Sequence, residues 1–158
     1  MTKQKPNSGV RFVNRICFQD LGLRIWDFRG ILDPMSIRIL DVGQCGFDGP
    51  AISHLLHEKL HATVKSAATA DEAKRELASS KFDLVLVNRE FAADRSSGVE
   101  LIQDLVDNGT TVPLMLVSDH ADAQDAAVAA GAVRGFGKSE LEEPSTFELI
   151  KNSAKHSR

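Results

Sequence analysis

Phe82-Asp83-Leu84-Val85-Leu86-Val87-Asn88 is apolar at successive positions, not at alternate ones. A strand wetted on one side would alternate, so this stretch is expected to be a strand buried on both faces, as in a parallel sheet covered by helices. On its N-terminal side, Ile37 to Val42 reads as another apolar strand and Ala62 to Ala67 as a short one. Between them Pro50 to His61 reads as a helix, with Asp48 and Gly49 offering a cap and Pro50 in the first turn. Thr69-Ala70-Asp71-Glu72 is a capping box that opens a helix running to about Ser79. On the C-terminal side, Gly98 to Asn108 reads as a helix with Val99, Leu101, Ile102, Leu105 and Val106 inward. Pro113 to Val117 is a strand, Ala121 to Ala130 an alanine-rich helix closed by Gly131, and Ala132 to Phe136 a weaker strand. Pro144 opens a last helix with Phe147, Ile150 and Ala154 on one face. Five such strand–helix units predict a doubly wound, five-stranded parallel sheet with right-handed crossovers. Its functional edge is expected at the carboxyl ends of the strands.

Residues 1–35 hold six Lys/Arg and three Asp/Glu, against 13 and 19 in residues 36–158, so the composition breaks near Met35. Phe12, Val13, Ile16, Phe18, Leu21, Leu23, Ile25, Trp26 and Phe28 fit no single helical stripe. Residues 1–35 are therefore expected to be an N-terminal extension, packed on the domain, disordered or outside the native chain, and residues 36–155 the folded domain. A net charge of −3 argues against nucleic-acid binding through a broad basic surface. No apolar run approaches the roughly 18 residues of a membrane span. Arg11, Arg15, Asp20, Arg24 and Asp27 break the first apolar stretch too often for a secretory signal. Cys17 and Cys45 lack metal-ligand spacing, and a reduced, cytoplasmic chain is expected.

At the strand-end edge the topology gathers Gly43 and Gln44, Asn88, Ser118 and Lys138. The stretches carrying them are Ile37-Arg-Ile-Leu-Asp-Val-Gly-Gln44, Phe82-Asp-Leu-Val-Leu-Val-Asn88, Val112-Pro-Leu-Met-Leu-Val-Ser118 and Gly131-Ala-Val-Arg-Gly-Phe-Gly-Lys138. Over residues 36 to about 155 they resemble the receiver domains of two-component response regulators. The resemblance implies a flavodoxin-like sheet of strand order 2-1-3-4-5. In that family an acidic pair after the first strand binds magnesium, and an aspartate after the third takes a phosphoryl group. A Ser or Thr and a Lys, after the fourth and fifth strands, contact the phosphoryl oxygens. Here the acidic pair falls on Gly43 and Gln44 and the phosphoacceptor on Asn88; only Ser118 and Lys138 match chemically. Magnesium wants hard, usually anionic oxygens, so the metal site is expected to be lost, no cofactor is expected, and Asn88 is not expected to be phosphorylated. Asp41 is expected to point away from the strand-end cluster. The family's aromatic switch position falls on Gly135, with Phe136 one residue later. The loop from Asn88 to Gly98 is longer than the family's, and the helix from Ala121 to Ala130 is shorter.

The sequence carries three other patterns. His57-Glu58-Lys59-Leu60-His61 matches the zinc-protease spacing H-E-x-x-H. However, Ile52, Leu55, Leu56 and Leu60 form that helix's apolar face, which leaves His54, His57 and His61 toward solvent. Asp119, Asp122 and Asp125 read as an acidic helix start that complements the helix dipole. The loop Gly43-Gln-Cys-Gly46-Phe-Asp-Gly49 is neither a dinucleotide fingerprint nor a Walker loop. Its N–H groups could still join Lys138 and Ser118 at an anion, with Gly46 in the set, if Lys138 faces only neutral groups. The rival is an ion pair of Lys138 with Glu90, Asp94 or Asp119. The expected function is a stand-alone receiver-like interaction module, not an enzyme, acting on a signalling partner such as a histidine kinase or an output protein. The alternative is a small-anion or nucleotide-binding flavodoxin-like domain.

Overall fold

The computed structural model describes residues 36–155; the expectations for residues 1–35, Cys17 included, lie outside the described residues. The chain alternates β1 (Arg38–Val42), α1 (Asp48–Leu60), β2 (Thr63–Ala67), α2 (Ala70–Ser79), β3 (Leu84–Asn88), α3 (Gly98–Asp107), β4 (Leu114–Val117), α4 (Ala121–Ala129), β5 (Val133–Phe136) and α5 (Pro144–Lys155). A short 3-10 turn, Lys138–Glu140, lies between β5 and α5. The sheet order is β2-β1-β3-β4-β5 and every pairing is parallel, as the sequence predicts.

Alternation along each strand divides the core into two layers. Leu40, Val42, Val85, Val87, Leu114 and Leu116 meet Ala73, Leu101, Ile102, Leu105 and Ala127 on the side of α2, α3 and α4. Ile39, Leu84, Leu86, Met115 and Val117 meet Ile52, Leu56, Ile150 and Ala154 on the side of α1 and α5. All five residues of β3 are buried, which is why Leu84 to Val87 carries no polar alternation.

The helix starts agree in part. Thr69 caps α2, accepting from the Glu72 N–H at 3.3 Å, while the Glu72 carboxylate accepts from the Ala68 N–H at 2.7 Å. The α1 cap is a correction. Helix α1 begins at Asp48, its cap position is Phe47, and no side chain caps it. Asp48 is thereby released from capping and its carboxylate is available elsewhere. Among the described residues, no helix is long and apolar enough to cross a membrane.

Candidate functional site

The site starts from β1 and β3. Val42 pairs with Val87, so Gly43 and Asn88 leave the sheet side by side. Asn88 is buried, and its Nδ2 donates to the Gly43 carbonyl at 3.0 Å and to the Glu90 carbonyl at 2.7 Å. Only the nitrogen end of the amide can face two carbonyl oxygens, which decides the amide's orientation. The residue thus stitches the two strand ends together through its own side chain.

The long loop after Asn88 is folded back on itself. Glu90 and Ser97 form an antiparallel bridge, the Phe91 N–H donates to the Ser96 carbonyl at 2.9 Å, and Arg95 pairs with Glu90. The extra length turns Phe91 inward, where it is fully buried. Gly43 sits at φ 77°, and a Cβ there would fall on the Phe91 ring. Sequence reasoning missed Phe91, because a lone aromatic in a polar loop gives no periodic signal.

Ser118 and Lys138 do reach this edge. With Asn88 they line an open cleft of about 390 Å³, whose walls also carry Arg89, Glu90, Arg95, Asp119 and His120. Ser118 is buried, and its Oγ accepts from the His120 N–H at 3.2 Å. Gly46 is exposed in the β1–α1 loop and does not line that cleft. The expectation that Lys138 faces only neutral groups needs correction. Its ammonium donates to Asp48 Oδ2 at 2.7 Å, a residue 90 positions away that linear inspection could not pair with it. The same bond holds the Asp48 carboxyl below its ordinary pKa. Asp119 is also otherwise engaged. It accepts from the Ser139 N–H at 3.0 Å and the Ser139 hydroxyl at 2.5 Å, and does not cap α4.

The expectation for Asp41 needs correction: it shares a face of β1 with Ile39, on the α1 side of the sheet, is 1% exposed, and lies beside Gln44 and within reach of the Lys138 charge. Its carboxylate and the Gln44 amide are buried next to one another, and neither finds a hydrogen-bond partner elsewhere. Burial pushes the Asp41 carboxyl up to about 7; the nearby Gln44 amide and the Lys138 charge pull the other way without cancelling it.

The positions that the receiver resemblance assigns to the acidic pair and the phosphoacceptor offer magnesium no anionic ligand. Gly43, Gln44 and Asn88 supply no carboxylate, the Asn88 nitrogen faces the carbonyls, and Phe91 packs on Gly43. His54, His57 and His61 are exposed, and His57 Nδ1 lies 3.3 Å from the Ala62 carbonyl. No group of three or more His, Cys, Asp or Glu among the described residues could hold a metal ion.

No protein-family model matches the chain, and no curated protein matches it. Solved structures do. The receiver domain of the Francisella response regulator 1452 superposes with a TM-score of 0.68 at 13% identity, over 78% of this chain and 100% of that one. A CheY-like response regulator receiver domain protein from Methanospirillum hungatei JF-1 gives 0.65 at 21% identity, over 77% and 96%. NtrX from Brucella abortus gives 0.65 at 18%, and there the match spans 28% of the longer chain. At these identities the likeness is one of fold, and residues 36–155 adopt the fold of response-regulator receiver domains.

Proposed function

We propose that this chain is a signalling interaction module of two-component type that works without phosphorylation of an aspartate and without magnesium. Asn88 carries the reading: an amide, a poor nucleophile, stands where the receiver resemblance puts the phosphoacceptor, and it is spent on two backbone hydrogen bonds. Transferred phosphoryl charge needs a cation to neutralise it, and the neutral Gly43 and Gln44 offer that cation little. The module acts by contact with a protein partner, as a histidine kinase or an output protein would provide, and no enzymatic role is assigned to it. A cytoplasmic setting fits this role.

The test is incubation of the whole chain with acetyl phosphate and magnesium, read by intact mass, together with beryllofluoride titration read by amide shifts. An unchanged mass and unshifted residues 43, 88, 118 and 138 are expected. A phosphoryl adduct that maps to this edge overturns the reading.

A second reading has one observation in its favour: Arg89, Arg95, His120 and Lys138 all line the cleft beside Ser118. A small anion held there would draw Lys138 from Asp48. Phosphate titration is then expected to shift residues 88, 89, 118 and 138 together, and Lys138→Ala to abolish the shifts. Scattered shifts, or shifts unchanged in that variant, remove it.

A further inference from the structure

Helix α4 has little of its own to hold it. It runs nine residues, Ala121–Ala129, and only Gln124 and Ala127 in it are buried. An isolated helix of that length is unstable in water, and one buried alanine gives a small apolar contact. The β5 strand it covers is also irregular. Met115 pairs with Val133 and Val117 with Phe136, so β5 carries an extra residue between the two pairings. A bulge of this kind leaves backbone groups outside the ladder.

One side chain meets both needs. Gln124 Nε2 donates to the carbonyls of Leu116 and Ser118, each at 3.0 Å, and the Phe136 carbonyl lies at 3.3 Å from the same nitrogen. Gln124 Oε1 accepts from the Gly135 N–H at 3.1 Å. Gly135 is tightly placed: a Cβ there would strike the Leu116 carbonyl oxygen. The position needs a donor pair and an acceptor on one side chain, at the reach of two methylenes from the helix. Asparagine is too short, glutamate lacks the donors, and leucine would take away the acceptor of the Gly135 N–H and the donor to the Leu116 and Ser118 carbonyls.

We infer that Gln124 is a clamp that holds α4 on the β4–β5 seam in one position, so that the α4–β5 face is presented in a single conformation without any event at the strand-end edge. That face carries the Asp125–Arg134 ion pair and the exposed Val128 and Val133. The receiver resemblance puts an aromatic switch at position 135, and Gly135 has no room for one. Phe136, the nearest aromatic, is buried in the opposite layer with Met115 and Ile150. The clamp does not depend on the fate of Asn88: a phosphorylated chain could carry it, and an unphosphorylated chain could lack it.

The experiment is nitrogen-15 relaxation dispersion and amide hydrogen exchange on the whole chain, wild type and Gln124→Leu. Wild type is expected to show no microsecond-to-millisecond exchange over residues 121–136, with the Gly135 amide protected. In Gln124→Leu the Gly135 amide is expected to exchange at least about tenfold faster relative to the β1 and β3 amides, the loss of about one buried hydrogen bond, with dispersion appearing along α4. If that variant does not fold, Gln124→Met, which keeps the length and loses both the donors and the acceptor, takes its place. Exchange broadening throughout α4 in wild type, or undiminished Gly135 protection in the variant that folds, overturns the clamp.

Discussion

Asp41 shows at residue scale what a single buried carboxyl does to the molecule. Its pKa is raised from 3.8 to about 7, so the folded state holds the proton more tightly than the unfolded chain. Its favourable contribution is therefore complete below pH 3.8 and is lost as pH rises through about 7. The loss amounts to about 4 kcal/mol at most, taking 1.36 kcal/mol per pKa unit. Urea unfolding of wild type and Asp41→Asn between pH 4 and 8 is expected to show that slope in wild type only, with the variant the more stable at pH 8. Equal slopes would mean that Asp41 is solvated. Asn88→Asp makes the opposite substitution. It trades two N–H donations for carboxylate oxygen against the Gly43 and Glu90 carbonyls, and is expected to cost about 1–3 kcal/mol. Millimolar magnesium should not restore that stability; recovery with the metal would mean that the edge can still bind it.

At the scale of elements, the loop from Asn88 to Gly98 is a folded unit that packs Phe91 on Gly43. Phe91→Ala removes a fully buried ring from against Gly43, and is expected to destabilise by about 3–5 kcal/mol in urea melts. A cost below about 1 kcal/mol would mean that the loop re-closes without it. Gly43→Ala attacks the same contact from the other side. It adds the strain of a side chain at φ 77° to overpacking against the ring, together about 2–4 kcal/mol. Helix α1 shows how local motifs mislead. Its H-E-x-x-H spacing is an exposed polar face, and His61 ends the helix at φ 52°. The residue of α1 that matters to the site is Asp48, which pairs with Lys138 at the far end of the sheet. Both side chains of that pair are about a third exposed, so Lys138→Met is expected to cost under about 1 kcal/mol.

For the whole molecule, each helix from Asp48 onward has a sheet partner within residues 36–155. A chain beginning at Met35 is accordingly expected to melt cooperatively and within a few degrees of the full chain; a molten shorter chain would place part of the core before Met35. The sheet and its order were legible because strand burial and helix amphipathicity are local periodicities, written at Leu84 to Val87 and at Leu101, Ile102 and Leu105. So was the absence of acids at Gly43, Gln44 and Asn88, since strand ends follow from the strands. What the sequence alone determined was therefore the topology and the chemistry missing from its edge. What filled that edge was decided only in three dimensions. The partners of Asn88, Phe91, Lys138 and Gln124 lie on other elements or across a folded loop, and side-chain direction, not spacing along the chain, selects them. The same holds for Asp41: its residue type is visible in the sequence, but the raised pKa comes from the apolar layer that closes over it once α1 packs on the sheet.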